Sequence, residues 1–378
     1  MSAPAPPEPH TPGLLTRLPR SPRKVVIVRA NRIGDFLCAT PAFRALRAAL
    51  PDAEITLVGL PFVRDLVARS TALDRFVAFP GFPGMAEQFF DAPKLTAFLE
   101  RMQAERFDLA IQMHGSGVHS NPFTLLLGAQ ATAGWVRPGE PPGLLDAALP
   151  YPDSGNERER CLSLPRFLGA PDCGSAVDFP LWPGDERAAD DLLAGARGPL
   201  IGVHPGTWDR IKRWPLERFA EAANALQARH GGTVVVVAGP RDVEAADRVA
   251  DAIRGPVCDL AGAMGLGPLG AVLDRLAVFL TNDSGPAHIA YARRTPTVVI
   301  FGGTDPEQWG PPTGSPARVL AHPVACRPCE LPACPIGYPC LDGVIVADVV
   351  AAAEAIWGDR GGTAVGDATN AAVAPSAC

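Results

Sequence analysis

The chain contains 378 residues, of which 47% are hydrophobic and 20% charged, and its formal net charge is -6. This length exceeds what one core usually holds and predicts two domains, while the acidic balance argues against broad binding to nucleic acid. No apolar run approaches the ~20 residues that a membrane-spanning helix needs.

The two ends of the chain are predicted to be disordered. Residues 1–22 are rich in proline and lack the apolar segment of a signal peptide, so we interpret them as a leader. Residues 358–378, rich in Gly, Ala and Thr, are interpreted as a loose tail.

Short apolar runs alternate with amphipathic segments in residues 23–183, which is typical of a parallel sheet covered by helices. A Pro/Gly-rich region, residues 138–150, interrupts this pattern, and a helix is predicted after it at residues 157–168. Strands are predicted at residues 24–30, 55–59, 76–79, 109–113 and 131–136.

The first long helix should follow the turn at residues 31–35 and end before Pro51. Pro41 lies inside this segment. Because proline lacks an N–H, the sequence predicts that the helix either begins or is kinked there.

The alternation of strands and helices restarts in residues 184–345, so a second α/β unit is predicted. A last helix, residues 346–357, could pack on either unit. Strands are predicted at residues 200–204, 233–238, 257–260, 276–280 and 297–301, and helices at residues 215–229, 243–253 and 266–275.

Open α/β sheets bind ligands beyond the carboxyl ends of their strands, so the loops after predicted strands are the candidate sites. In the first of these loops, Gly34 permits a tight backbone, and Asp35 stands at the start of the following helix, where the dipole stabilises a carboxylate. Asp35 is either an ordinary residue of a first helical turn or a base that accepts a proton from an attacking hydroxyl.

Residues 204–215 form a second loop between a strand and a helix. Thr207, Lys212 and Arg213 place a hydroxyl and two cations near the mouth of the sheet, which suits a diphosphate, although a solvated basic turn would have the same composition. In the next loop, Asp242 either holds a ribose hydroxyl or caps a helix.

The stretch 281–288, Thr-Asn-Asp-Ser-Gly-Pro-Ala-His, turns abruptly from a strand into a helix. Asp283 or Ser284 can serve as the N-cap, and Pro286 suits the first turn. Such a helix start directs backbone N–H groups and a positive dipole end towards the space above the sheet, which favours a phosphate. His288, one turn further, can face the same space.

Several metal and phosphate motifs are absent from the sequence. It contains no G-x-x-x-x-G-K-[ST] loop, no H-E-x-x-H pair and no Asp-x-Asp anchor for a divalent metal. Four cysteines, at 326, 329, 334 and 340, form a C-x2-C-x4-C-x5-C cluster that could be a zinc site, free thiols or, less favourably, a disulfide. No metal is predicted.

The order of these motifs resembles glycosyltransferase family 9, the heptosyltransferases that extend the inner core of lipopolysaccharide. The resemblance spans roughly residues 24–345 and rests on RANRIGDF at 29–36, HPGTWDRIKRWP at 204–215, TNDSGPAH at 281–288 and the cysteine cluster.

The resemblance implies a GT-B architecture, in which an acceptor domain (23–183) and a nucleotide-sugar donor domain (184–345) face each other across a cleft. It implies an inverting, metal-independent and cofactor-free transfer, with ADP-heptose as the donor in the named members. By position, Asp35 matches the family's catalytic base and Lys212 the lysine that neutralises the donor diphosphate. Donor binding is assigned to Thr207, Lys212, Arg213, Asp242, Asp283, Ser284, Gly285 and His288.

The resemblance places acceptor recognition in the first domain, at Asn31, Arg32, Gly34 and His114. It implies a glycan or lipid-linked glycan acceptor and a cytoplasmic enzyme, with peripheral contact at the cytosolic face of the inner membrane where the acceptor is lipid-linked. Two alternatives stay open: another GT-B nucleotide-sugar enzyme, such as an epimerase, and a non-catalytic two-lobed protein that binds a nucleotide or sugar.

Overall fold

A computed structural model of the protein describes residues 12–141, 143–329 and 331–361. The chain divides into two compact units between Asp178 and Phe179, which we call the N-terminal and the C-terminal domain. The boundary predicted from the sequence, at residues 183 and 184, lies slightly further along the chain.

The described residues include only part of the predicted leader and of the predicted tail. Residues 1–11 and 362–378 lie outside the described residues. Within the predicted leader, Leu14–Arg17 form a short helix with Leu14 buried, in contrast to the predicted disorder. The last helix, Val346–Gly361, continues beyond its predicted end at residue 357.

Among its described residues, the N-terminal domain forms a six-stranded parallel sheet in the order β3-β2-β1-β4-β5-β6. The strands are β1 (Lys24–Val28), β2 (Glu54–Gly59), β3 (Arg75–Ala78), β4 (Leu109–Gln112), β5 (Ala131–Val136) and β6 (Ala147–Pro150). The helices are α1 (Leu14–Arg17), α2 (Ile33–Ala49), α3 (Arg64–Arg69), α4 (Ala92–Ala104), α5 (Ser120–Leu125) and α6 (Glu157–Leu168).

The described part of the C-terminal domain repeats this topology, with the order β12-β11-β10-β7-β8-β9 and parallel pairing throughout. The strands are β7 (Leu200–His204), β8 (Thr233–Val236), β9 (Val257–Asp259), β10 (Val278–Asn282), β11 (Thr297–Phe301) and β12 (Ala317–Ala321). The helices are α7 (Pro183–Leu192), α8 (Leu216–His230), α9 (Val243–Asp251), α10 (Leu266–Asp274), α11 (Gly285–Arg293), α12 (Pro306–Trp309), α13 (Pro339–Asp342) and α14 (Val346–Gly361). Two Rossmann-like domains are thus confirmed.

The central strands are apolar on both faces, as parallel strands covered by helices must be. Residues 25–28 of β1 and 298–301 of β11 are fully buried. The last helix, α14, packs on the C-terminal sheet through Val349, Ala353 and Ile356, so it belongs to the C-terminal core. In the part of the chain that the structure describes, no helix is long and apolar enough to span a membrane.

Helix α2 begins at Ile33 and runs through Pro41, so the predicted start at this proline is wrong. Proline has no N–H to donate to the carbonyl oxygen four residues earlier, that of Leu37. The Thr40 hydroxyl donates to this oxygen instead, at 2.8 Å, and accepts a hydrogen bond from the Asp178 N–H at 2.9 Å. A side-chain donor therefore lets the helix continue through the proline.

Candidate functional site

The strand order of the C-terminal domain reverses between β7 and β10, the place where open α/β sheets bind ligands. Residues 205–215 follow β7, residues 283 and 284 link β10 to α11, and residues 302–304 follow β11. Since these strands are parallel neighbours, their carboxyl ends share one edge. The structure therefore brings together polar residues that are far apart in sequence.

Asp283 is the centre of the polar cluster at this edge and is only 2% exposed. Its Oδ2 accepts hydrogen bonds from the Lys212 ammonium at 3.0 Å and the Thr304 hydroxyl at 2.7 Å. Ser284 takes the N-cap position of α11, and its side chain makes no capping hydrogen bond within the described residues. The cluster thus holds the Lys212 ammonium group at the carboxyl edge of the sheet, paired with the buried Asp283 carboxylate.

His204, the last residue of β7, is a buried neighbour of this cluster that is not among the predicted site residues. Its Nδ1 lies 3.2 Å from the Thr281 hydroxyl and 3.4 Å from the Ser284 hydroxyl. Burial lowers the pKa of His204 to about 4, because a charged imidazole is poorly solvated there. At neutral pH an uncharged ring therefore links the end of β7 to the start of α11.

Arg213 connects the loop after β7 to the loop after β8. Its Nη2 donates to the Thr207 carbonyl at 2.7 Å and to Asp242 Oδ1 at 3.3 Å. Asp242 is the N-cap residue of α9, but its side chain makes no capping hydrogen bond in the described structure. A Cβ atom at Gly206 would lie 2.8 Å from the Asp242 side chain, so the two loops approach closely because residue 206 is glycine.

His288 lies beside the Asp283 cluster, with its Nε2 4.0 Å from Asp283 Oδ1. It is 4% exposed, and its ring packs edge-on against Tyr291 and Trp309. The sequence indicates that His288 can face the ligand space; the structure buries most of its ring in packing, and its part in donor binding stays a prediction. Gly285, the first residue of α11, lies nearer the mouth of the sheet and is partly exposed.

The strand order of the N-terminal domain reverses between β1 and β4. The loop after β1 leads into α2, and Asp35, partly buried, is the third residue of this helix. A carboxylate in a first helical turn is stabilised by the helix dipole. Asp35 therefore lies at the carboxyl edge of the sheet, and its role as a ligand-facing carboxylate stays a prediction.

The turn that carries Asp35 is fixed from inside the domain by Arg29, which is 3% exposed. Arg29 donates to the Asp35 carbonyl from Nε at 3.1 Å and Nη2 at 2.9 Å, and to the Met113 carbonyl from Nη1 at 2.7 Å. The Glu157 carboxylate accepts a further hydrogen bond at 3.1 Å. Burial opposes the charged guanidinium, but neighbouring negative groups, including Glu157 and Asp35, outweigh it and raise the pKa of Arg29.

Two of the predicted acceptor residues are in direct contact, since His114 Nδ1 lies 2.7 Å from Asn31 Oδ1. Glu87, which the sequence analysis missed, approaches His114 Nε2 from the other side at 3.4 Å. Arg32 is exposed, and its charge acts on Glu87. Gly34 is the second residue of α2 and so belongs to the helix rather than to the turn before it.

The cysteine cluster contains four free thiols in the structure. Cys326 is exposed, Cys329 and Cys334 are partly buried, and Cys340 is buried in the core of the C-terminal domain. In the described parts of the chain, no three His, Cys, Asp or Glu side chains are grouped so that they could hold a metal ion.

The model of the family described as glycosyltransferase family 9 (heptosyltransferase) matches residues 95–337. The chain belongs to glycosyltransferase family 9. It is therefore a glycosyltransferase, which favours sugar transfer over an epimerase or a non-catalytic binding protein. The matched range contains the donor-side loops and His114 but begins after Asp35.

Individual proteins are similar to this chain over most of their length. Lipopolysaccharide heptosyltransferase 3 of Escherichia coli (strain K12) is 27% identical over 289 residues, which cover 74% of this chain and 82% of that protein. The crystal structure of the glycosyl transferase family 9 from Veillonella parvula DSM 2008 has a TM-score of 0.76 at 23% identity, covering 89% of this chain and 98% of that one. The structure of E. coli ADP-heptose lps heptosyltransferase II has a TM-score of 0.71 at 21% identity, and the match covers 89% of this chain and 99% of that one. These likenesses confirm the GT-B fold class.

Proposed function

We propose that this family 9 enzyme transfers a heptose from ADP-heptose to a lipopolysaccharide-core or related glycan acceptor. The proposal is carried by the Asp283–Lys212–Thr304 cluster, which presents an ammonium group where a Rossmann-like domain binds phosphates. The relatives described above support the sugar and the acceptor, since they are named lipopolysaccharide heptosyltransferases and one is named for ADP-heptose.

On the donor side, the C-terminal domain stabilises the leaving diphosphate. Lys212 exchanges part of its contact with Asp283 for a phosphate oxygen, and the N-terminus of α11 adds backbone N–H groups. Arg213, held by Thr207 and Asp242, adds a second cation to the same edge. We propose that these groups take the place of a divalent metal, because the sequence has no Asp-x-Asp anchor.

On the acceptor side, we propose that Asp35 is the general base. The acceptor oxygen forms a bond to the anomeric carbon of the sugar while the bond from that carbon to the diphosphate oxygen breaks. Asp35 takes the hydroxyl proton, and the diphosphate leaves with the bonding electron pair. A single displacement of this kind inverts the configuration at the anomeric carbon.

The test is transfer from ADP-heptose to lipopolysaccharide that lacks its outer heptose, in the presence of a metal chelator. Transfer should proceed, and NMR of the product should show an anomeric configuration opposite to that of the donor. The substitution Asp35→Asn should lower kcat by about 10²–10⁴-fold, while ADP binding measured by calorimetry stays at the wild-type value. Asp52→Asn, an exposed carboxylate before β2, is the matched control and should be fully active.

Two results would overturn this assignment. Retention of configuration would exclude the single displacement. Wild-type turnover by Asp35→Asn would remove Asp35 as the base, even if heptose transfer itself is observed.

We further propose that the enzyme acts in the cytoplasm, in peripheral contact with the membrane that carries a lipid-linked acceptor. Two large apolar side chains of the N-terminal domain support this: Phe89 and Phe90 are 93% and 44% exposed. They lie in the connection between β3 and α4, directly before the start of α4 and hence towards the carboxyl edge of the sheet. Phe89→Ser should reduce co-sedimentation with anionic phospholipid vesicles, and unchanged sedimentation would contradict the proposal.

A further inference from the structure

We propose that Glu87 is a positioning residue for the acceptor site, acting through His114 on Asn31. This inference rests on the proposed function, which assigns the acceptor to the N-terminal domain. It adds a residue from a segment in which the sequence shows no site motif.

Glu87 reaches the site because its segment crosses the edge of the sheet. The segment leaves β3, which is separated from β4 by β2 and β1 in the sheet. Nevertheless Glu87 Oε1 lies 3.4 Å from Nε2 of His114, which stands in the loop after β4. Residues 79–91 must therefore pass over the carboxyl ends of β2 and β1, where the turn leading to Asp35 begins.

The crossing segment is packed against the domain at several points. Phe82 contacts Phe123 of α5 with ring centroids 5.4 Å apart, and Met85 is buried in the same core. Gly84 has a φ of 84° and lies against the His119 side chain, leaving no room for a Cβ atom. Glu87 thus follows two residues after Met85, whose burial holds the segment in place.

The hydrogen bonds define a chain of three side chains. Both nitrogens of the His114 ring face oxygen atoms, that of Asn31 at 2.7 Å and that of Glu87 at 3.4 Å. A proton on Nδ1 is donated to Asn31 Oδ1, and a proton on Nε2 is donated to the Glu87 carboxylate. With its oxygen engaged by His114, Asn31 directs its amide N–H groups to an acceptor hydroxyl.

The charges around Glu87 fit this role. Burial would raise the pKa of the Glu87 carboxyl, but the hydrogen bond and charge of His114, together with the charge of Arg32, lower it below its usual value. Glu87 is therefore ionised at neutral pH and lies between His114 and the charge of Arg32. Its side chain is 32% exposed, so replacing it should leave the fold intact.

Steady-state kinetics with varied acceptor and varied donor test the proposal. Glu87→Ala should raise the acceptor KM about 10-fold and leave the donor KM unchanged. Glu87→Gln retains an oxygen towards His114 but carries no charge, so its acceptor KM should lie between those of Glu87→Ala and the wild type. Glu54→Ala, an exposed carboxylate at the opposite edge of the sheet, is the control and should match the wild type in both constants.

Nitrogen-15 NMR of the His114 ring gives a readout that a merely structural role would not move. Glu87→Ala should shift the Nε2 resonance of His114, and Asn31→Ala should shift that of Nδ1. Wild-type acceptor KM in Glu87→Ala, or unchanged ring resonances, would overturn the proposal. Failure of the wild type to transfer heptose would instead refute the proposed function, and the NMR comparison would still decide whether Glu87 positions His114.

Discussion

Replacing Lys212 with methionine should destabilise the C-terminal domain as well as abolish donor use. Lys212 Nζ lies 3.0 Å from Asp283 Oδ2, and the two side chains are 20% and 3% exposed. The gross attraction at this distance is about 5 kcal/mol for an effective dielectric constant near 20. Without Lys212, the Thr304 hydroxyl is the one direct hydrogen-bond donor that remains for Oδ2 of this buried carboxylate among the described residues.

We expect the net loss to be smaller than the gross attraction, because water can enter the space that Lys212 leaves. A loss of about 2–3 kcal/mol follows, below the 3–5 kcal/mol typical of breaking a fully buried pair. For a domain of this size, this corresponds to a fall in Tm of roughly 5–10 °C. Asp283→Asn in the Lys212→Met background removes the stranded charge and should restore most of the stability, but not the activity.

The assay combines differential scanning calorimetry with release of ADP during transfer. Lys94→Met, which removes an exposed lysine of the N-terminal domain, is the matched control and should change stability by less than about 0.5 kcal/mol. If Lys212→Met melts at the wild-type temperature, or the double substitution is no more stable than the single one, the ion pair does not stabilise the domain as argued.

Three further predictions concern stability and the donor loops. His204 has a pKa of about 4 in the folded state against 6.5 in the unfolded state. Its contribution to the free energy of unfolding, roughly 3 kcal/mol, is therefore present above pH 6.5 and lost as the pH falls towards 4. His204→Gln should flatten this part of the profile of stability against pH measured by urea unfolding, and an unchanged profile would assign the acid lability to other groups. Thr40→Val leaves the Leu37 carbonyl without its side-chain donor and should cost about 1–3 kcal/mol in urea unfolding; an equally stable variant would show that the hydroxyl is dispensable. Gly206→Ala should push the Asp242 side chain aside and weaken ADP binding several-fold in calorimetry, whereas wild-type affinity would mean that this close approach is not needed for the donor.

Much of the fold is predictable because apolar runs in a parallel sheet are long and continuous. β5, β7, β11 and α6 have the bounds predicted for them. Helix α4 is missing from the prediction although Asp91 caps it and Pro93 lies in its first turn; only Phe98 and Met102 of this helix are buried. Strand β6 lies within the predicted Pro/Gly-rich interruption, where an edge strand tolerates Pro150.

The candidate site is predictable only as a set of loops. Parallel strands bring their carboxyl ends to one edge, so the meeting of Lys212 and Asp283 follows from the alternation of strands and helices. The alternation of strands and helices does not show which atoms pair. Thr304 and His204 belong to apolar or glycine-rich stretches, and Glu87 enters from a long connection without periodicity, so contacts across the sheet rather than local sequence decide their positions.

Arg29 fastens the backbone that presents Asp35 through two carbonyl groups that do not titrate, in addition to its contact with the Glu157 carboxylate. Arg29 keeps its proton at every pH at which proteins stay folded, and its acceptors on residues 35 and 113 are peptide carbonyls. The hydrogen bonds from Arg29 to these two carbonyls are therefore insensitive to acidity. A kinetic titration of the enzyme would contain no contribution from their loss.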